Sequence, residues 1–229
     1  MMNAVKKTAC ALAVLATTST AVMAESIDVK VIGTITPTSC KPTLTGGGTI
    51  DYGTIAPASL KKDALNQLDN KQLDFTITCD TPAKIALKAI NGRPNTAAGT
   101  TEIGSFGGAV PAGISNNNGN WVVGLGLDGS KKVGGYNMAL SDVSADGAAV
   151  DYLEAKDSDQ AWNKKSKNLL FWNQPFKVSW SKPGTLTPIA FTTLAGKLNV
   201  QAYINKVSEL DLTKPVKLDG LATLELVYL

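Results

Sequence analysis

Short runs in which apolar and polar residues alternate recur along the chain and constrain its fold more than any other feature. They lie at residues 73–79, 85–90, 198–204 and 222–228. Because successive side chains of a β-strand point to opposite faces, a period of two is typical of strands with one buried face. Turn-forming residues separate the runs, as at residues 46–48 and 182–184. We therefore expect an all-β sandwich, with short helical segments only at residues 59–70 and 157–167.

The first 24 residues have the pattern of a secretory signal peptide. Lys6 and Lys7 precede a weakly polar run, and the stretch ends on Val22, Met23 and Ala24, as signal-peptidase sites often do. Cleavage there would remove 24 of the 229 residues and leave 205, with 20 basic residues against 19 acidic ones. A net charge of +1 does not indicate nucleic-acid binding. No later apolar run approaches the roughly 18 residues that a membrane span needs, so we expect an exported, soluble protein.

The chain contains no histidine. This absence excludes Ser-His-Asp triads and mixed Cys/His zinc sites, and it removes the commonest general base. No phosphate-binding glycine loop or supported pair of carboxylates is present either, so we expect no enzyme, no metal and no cofactor. Cys10 lies in the signal, which leaves Cys40 and Cys79. In an exported protein these two are expected to form a disulfide, and a pair of free buried thiols is the alternative.

The segment that follows the signal is strongly patterned. It reads I-D-V-K-V-I-G-T-I-T-P-T-S-C from Ile27 to Cys40. One face of an extended chain would carry Ile27, Val29, Val31, Gly33 and Ile35. The other face is polar except at Ile32. The pattern predicts a strand, which could equally be an ordinary first strand of the domain or one that inserts its apolar face elsewhere.

Both ends of the chain resemble the chaperone–usher fimbrial subunits, or pilins. In that family an alternating strand with an inset glycine is followed seven residues later by the first disulfide cysteine, as Gly33 is by Cys40. Cys79 lies near the position of the partner cysteine. Residues 219–228 resemble the final pilin strand, with the penultimate Tyr228. Residues 50–55 resemble the second strand, and residues from 188 onward also resemble a subgroup of uncharacterised fimbrial-like proteins.

The resemblance implies an incomplete immunoglobulin-like β-sandwich that lacks its last strand. Residues 25–36 would be an N-terminal donor-strand extension, and residues 37–229 would form the sandwich. The donor side chains would enter the groove of a neighbouring subunit, with Gly33 where no side chain fits; the others are Ile27, Val29, Val31 and Ile35. The edge contacted by a chaperone strand would comprise Leu224, Leu226 and Tyr228, with the carboxylate of Leu229 as a charged anchor.

The implied partners are a periplasmic chaperone, an outer-membrane usher and neighbouring subunits of a fibre. The implied function is that of a structural subunit of a surface fimbria, which polymerises head-to-tail by exchange of the donor strand. The protein would then pass through the periplasm to the cell surface.

The middle of the chain, about residues 91–188, departs from the family because it is longer than in typical pilins. It contains every tryptophan of the chain. Trp162 and Trp172 lie beside amides and could contact a glycan, which would make the protein a minor adaptor or adhesive subunit. Packing in the core is the favoured alternative, since Phe176, Val178 and Trp180 alternate as in a strand. Residues 142–147 resemble a calcium loop weakly, and an ordinary turn is the favoured interpretation there.

Overall fold

The computed structural model describes Lys30, Ile32, Gly33 and residues 38–159 and 161–229. The chain divides into two units, Met1–Thr36 and Pro37–Leu229. The strands of the described residues are β1 (Cys40–Leu44), β2 (Asn66–Asn91), β3 (Gly108–Ala109), β4 (Trp121–Gly124), β5 (Leu127–Asp128), β6 (Lys131–Lys132), β7 (Gly134–Ala145), β8 (Ala148–Ala149), β9 (Asp151–Lys156), β10 (Asn163–Lys165), β11 (Asn168–Leu169), β12 (Phe176–Ser181), β13 (Ala190–Ile204) and β14 (Ala222–Tyr228). Short 3₁₀ helices lie at Thr45–Gly48, Pro57–Ser59 and Val207–Glu209. Within this part of the chain no helix is long and apolar enough to cross a membrane.

The long strand β2 organises the sheet because its two halves have different neighbours. Its first half pairs with β1 on one side and with β13 on the other. Its second half pairs with β14 and, at Leu87, with β12. Strand β7 lies beyond β13, and β9 lies beyond β12. These ladders are antiparallel, and the resulting curled sheet confirms the expected all-β, immunoglobulin-like fold.

The apolar faces of these strands enclose one main core. Phe75 and Ile77 from β2, Leu194 from β13 and Trp180 from β12 are essentially inaccessible to solvent. The rings of Trp180 and Phe191 meet edge to face, with centroids 6.1 Å apart. Core packing is therefore confirmed for Trp180, in agreement with the alternation of β12. The core holds the strands that form the floor of the groove described below.

A disulfide bond joins Cys40 to Cys79, and their Cα atoms are 4.0 Å apart. The two residues lie directly opposite each other in the β1–β2 ladder. The prediction of one disulfide is confirmed, and the alternative of two free thiols is excluded. The bond fixes the start of β1 against the middle of β2.

The two expected helical segments are wrong. Residues 66–70 belong to β2, where they pair with the end of β13, and residues 163–165 form β10. Pairing with a neighbouring strand overrides the local preference of these polar sequences for helix. Residues 50–55, which resemble the second pilin strand, form no regular structure. Asp219 and Gly220 form an Asp-Gly pair, which is typical of a turn, but they lie in a segment that leads directly into β14.

Candidate functional site

The last strand, β14, pairs on one side only among the described residues. Its partner is β2, in a register that places Leu226 opposite Leu87. The ladder continues beyond both ends of β14, since the Gly92 N–H donates to the Leu221 carbonyl (2.8 Å) and the Leu229 N–H donates to the Lys84 carbonyl (3.0 Å). Odd-numbered residues therefore bond to β2, because bonded and non-bonded pairs alternate along an antiparallel ladder.

It follows that the even-numbered residues of β14 direct their backbone N–H and C=O groups away from β2. These residues are Ala222, Leu224, Leu226 and Tyr228. The side chains of Leu224 and Leu226 are half-buried against the core, whereas the intervening Glu225 is exposed. The edge thus offers both backbone pairing and a partly covered apolar face to an added strand.

A large apolar groove lies beside this edge, with a volume of about 1040 Å³. Its floor is formed by β7, β13, the residue before β7 and the residue after β4, with the side chains of Leu125, Val133, Tyr136, Met138, Leu198, Val200, Ala202 and Ile204. One wall comprises residues 48–60 together with Leu44. The opposite wall comprises residues 210–221 and the first residues of β14, up to Leu224. The groove is therefore long, open and lined mainly by aliphatic side chains.

Tyr52 fastens the first wall to the floor. Its hydroxyl donates to the Val200 carbonyl (3.2 Å) and accepts from the Ala202 N–H (3.1 Å). Ala202 has no partner in β2, because the β13–β2 register shifts between Gln201 and Tyr203. The Tyr52 hydroxyl thus supplies hydrogen-bond partners for backbone groups of β13 at the point where its ladder with β2 is interrupted. Burial raises the pKa of the Tyr52 hydroxyl, which therefore stays protonated near neutral pH.

Ion pairs hold the opposite wall. The Arg93 guanidinium donates two hydrogen bonds to the Asp219 carboxylate, each 2.9 Å long. These bonds hold the pKa of the Asp219 carboxyl below its usual range. Lys214 pairs with Asp128 at 2.9 Å. The backbone of Gly220 lies directly on the floor, where an added Cβ would come within 2.9 Å of Leu125 and of the Tyr136 ring.

The residues predicted for the acceptor edge occupy different parts of this site. Leu224 lines the groove. The Tyr228 hydroxyl accepts from the Cys40 N–H at 2.8 Å, so the side chain of Tyr228 links β14 to the start of β1. Leu226 lies between these two positions. Leu229 is exposed, and its N–H bonds to Lys84 as described above.

The predicted donor residues lie in the other unit of the chain. Ile27, Val29, Val31 and Ile35 lie outside the described residues. Gly33 is described and exposed, and an added Cβ there would meet no atom within 4 Å. The assignment of this segment as a donor strand stays a prediction.

The two tryptophans considered for glycan contact do not share a site. Trp172 lines a separate cleft of about 360 Å³ together with Trp121, Asn120 and the Glu154–Lys165 ion pair. Trp162 lies outside this cleft, and the ammonium of the buried Lys177 lies 5.8 Å from the centre of its ring. The sequence pattern did not reveal Trp121 as the companion of Trp172, because 51 positions separate them.

The weak resemblance to a calcium loop at residues 142–147 corresponds to a turn at the end of β7. The Asp146 carboxylate accepts hydrogen bonds from the Thr192 hydroxyl (2.7 Å) and from the Thr193 N–H (2.8 Å). Asp142 and Asp146 both have positive φ angles. Within the described residues no cluster of three acidic or cysteine side chains could hold a metal ion.

Comparison with known proteins finds relatives along the whole chain. A family model described as a protein of unknown function (DUF1120) matches residues 29–137, just under half of the chain. Protein GltF of Escherichia coli (strain K12) is 27% identical over 243 residues, covering 96% of this chain and 94% of the relative. The uncharacterized protein YhcF of the same strain is 27% identical over 245 residues, and the match covers 100% of this chain and 100% of the relative. No solved structure matches the chain.

Proposed function

We propose that the protein is a fimbrial-like subunit that accepts a β-strand from another polypeptide into its groove and gives its own N-terminal strand to a neighbour. The observation that carries this proposal is the groove beside the outer edge of β14. Alternate backbone groups of β14 face away from β2, and apolar side chains line the adjoining floor. An extended segment with one apolar face is the ligand that satisfies both features.

The N-terminal segment has the required chemistry. Ile27, Val29, Val31 and Ile35 fall on one face of an extended chain, and their burial would contribute about 6–12 kcal/mol at roughly 1.5–3 kcal/mol each. Backbone hydrogen bonds would add about 1 kcal/mol each. Because donor and acceptor are different surfaces, repetition of this contact produces an open fibre rather than a closed dimer.

Partners follow from the same chemistry. A subunit with an unoccupied apolar groove and an unpaired strand edge would aggregate. A periplasmic chaperone would therefore occupy the groove first. An outer-membrane usher would then direct the exchange for the strand of the next subunit, and the fibre would reach the cell surface.

The test is a pair of single substitutions in the donor segment, with the chain expressed in its native host. Val31→Asp places a charge on the apolar face and should abolish SDS-resistant ladders of the protein. Lys30→Asp, the matched control on the polar face, should leave them intact. Ladders that persist in Val31→Asp, and also after deletion of residues 25–36, would refute donor-strand assembly.

A second candidate function comes from the cleft that contains Trp121 and Trp172. The Glu154 side chain there is only 12% exposed, and it forms an ion pair with Lys165 at 3.3 Å. A carboxylate so deeply placed has further lone pairs to direct toward a ligand rich in hydroxyl groups, beside two indole rings. An adhesive or adaptor subunit could bind a glycan in this way. Binding on a glycan array that disappears in Glu154→Gln but survives in Trp162→Ala would support this function, and a blank array would refute it.

A further inference from the structure

The residues that precede β14 continue its alternation, except at Gly220, which has no side chain and is exposed. Val216 and Leu218 are half-buried against the core, whereas Lys217 and Asp219 are exposed. The same alternation persists through β14, where the even-numbered residues up to Leu226 are half-buried. The segment before β14 therefore has the pattern of a strand, although it forms no ladder of its own.

Hydrogen bonds show which way its backbone groups are directed. The Asp219 N–H donates to the Leu125 carbonyl at 3.0 Å, and the Leu221 carbonyl accepts from Gly92, so both odd-numbered residues bond to the body of the domain. The N–H groups of Leu218 and Gly220 donate to none of the residues that the structure describes. Because side-chain and backbone directions alternate together in an extended chain, residues 218 and 220 direct these groups to the same side as Ala222.

The usable edge ends before Tyr228, whose side chain contacts the start of β1. The Tyr228 hydroxyl accepts from the Cys40 N–H. The stretch from Leu218 to Leu226 contains nine residues, or roughly 30 Å of extended chain. Of these nine, β14 itself supplies only residues 222–226. The alternating run from Ile27 to Ile35 is also nine residues long, with five positions on its apolar face.

We infer that the acceptor edge extends from Leu218 to Leu226 and takes all nine residues, Ile27 to Ile35, of a second copy of this chain as an added strand. The inference rests on the proposed function and goes beyond it, because nearly half of the pairing falls on residues before the last strand. The Arg93–Asp219 pair then positions that part of the edge for strand binding.

Residue-level amide hydrogen exchange tests this arrangement. The acceptor is the full chain with Val31→Asp, so that its own segment does not compete, and the ligand is a synthetic peptide of residues 25–36. Exchange at Leu218 and Gly220 should slow at least tenfold, as should exchange at Ala222 and Leu224. A peptide of the same length with Val29→Asp is the matched control and should slow none of them.

The outcomes separate the inference from the proposed function. Slowing at Ala222 and Leu224 without slowing at Leu218 and Gly220 would overturn the extended edge and leave strand acceptance intact. No slowing at any of the four would overturn both. In the unsubstituted chain, slowing that is independent of protein concentration would show occupation by its own segment and would overturn the assignment to a second copy.

The substitution Asp219→Asn provides an independent check. Loss of the charged partner of Arg93 should reduce the peptide-induced slowing at Leu218 and Gly220 and leave that at Leu224 unchanged. The matched substitution Asp128→Asn, which releases the Lys214 pair farther from the edge, should leave all of them unchanged. Equal effects of the two substitutions would contradict a positioning role for the Arg93–Asp219 pair.

Discussion

Replacement of Tyr52 by phenylalanine tests whether a single hydroxyl fastens a wall of the groove. The ring would remain in place, where the Lys71 ammonium lies 5.6 Å from its centre. Only the two hydrogen bonds to the backbone of Val200 and Ala202 would be lost. Both residues are buried, so water replaces the hydroxyl poorly and the backbone groups lose their partner.

The expected loss follows from the cost of leaving buried polar groups without partners. Removal of one side of such a bond costs about 1–3 kcal/mol. We therefore expect Tyr52→Phe to lower the free energy of unfolding by an amount in that range. The first wall should also become more mobile, since residues 48–60 have only short 3₁₀ turns of their own.

Urea denaturation followed by tryptophan fluorescence measures this loss. Tyr228→Phe is the matched control, because its hydroxyl also accepts from a backbone N–H, that of Cys40, but at an exposed position. We expect the control to lose at most about 1 kcal/mol. If both variants lose the same small amount, below about 0.5 kcal/mol, the reasoning that Tyr52 completes the interrupted ladder is refuted.

Three further predictions concern stability. Replacement of Cys40 and Cys79 by serine opens a loop with a sequence separation of 39 and should lower the free energy of unfolding by about 4 kcal/mol in urea; a loss below about 1 kcal/mol would contradict it. Trp180→Ala should cost about 3–5 kcal/mol in the same assay, since the ring is fully buried; an unchanged midpoint would be inconsistent with its place in the core. Because the folded pKa of Asp219 is lowered, its stabilising effect is present above about pH 4 and is lost as the pH falls through the folded pKa. The melting temperature should therefore drop in acid, and less steeply in Asp219→Asn; identical acid profiles would refute the contribution.

Much of the fold could be predicted from the sequence because the strands carry alternating residues. The runs at residues 73–79, 198–204 and 222–228 all lie in strands. The polar stretch at residues 66–70 could not be assigned in this way, because its strand conformation comes from pairing with the distant β13. Long-range pairing of this kind leaves no local pattern for a single sequence to display.

The candidate site was predicted in part. The alternation around Leu224 indicated a strand, and the resemblance to pilins implied that this strand forms an edge. Nothing local indicated that Tyr52 holds a wall of the groove. Its partners, Val200 and Ala202, are about 150 positions away in the sequence. The half-buried alternation of Val216 and Leu218 was also missed, because the Asp-Gly pair that follows is typical of a turn. In the structure that glycine lies against the floor of the groove, where a side chain does not fit.

A rigid groove matters for the proposed exchange because the balance of free energies is narrow. Ordering nine donor residues costs about 9–18 kcal/mol of backbone entropy, at roughly 1–2 kcal/mol each. Burial of four aliphatic side chains and about nine backbone bonds returns some 15–21 kcal/mol. These two ranges overlap, so a further entropic cost of ordering the walls would weigh directly against strand binding. The hydroxyl of Tyr52 and the Arg93–Asp219 pair hold the two walls in place before any strand arrives. Loss of either interaction should therefore weaken strand binding, even though the apolar side chains that line the groove are unchanged.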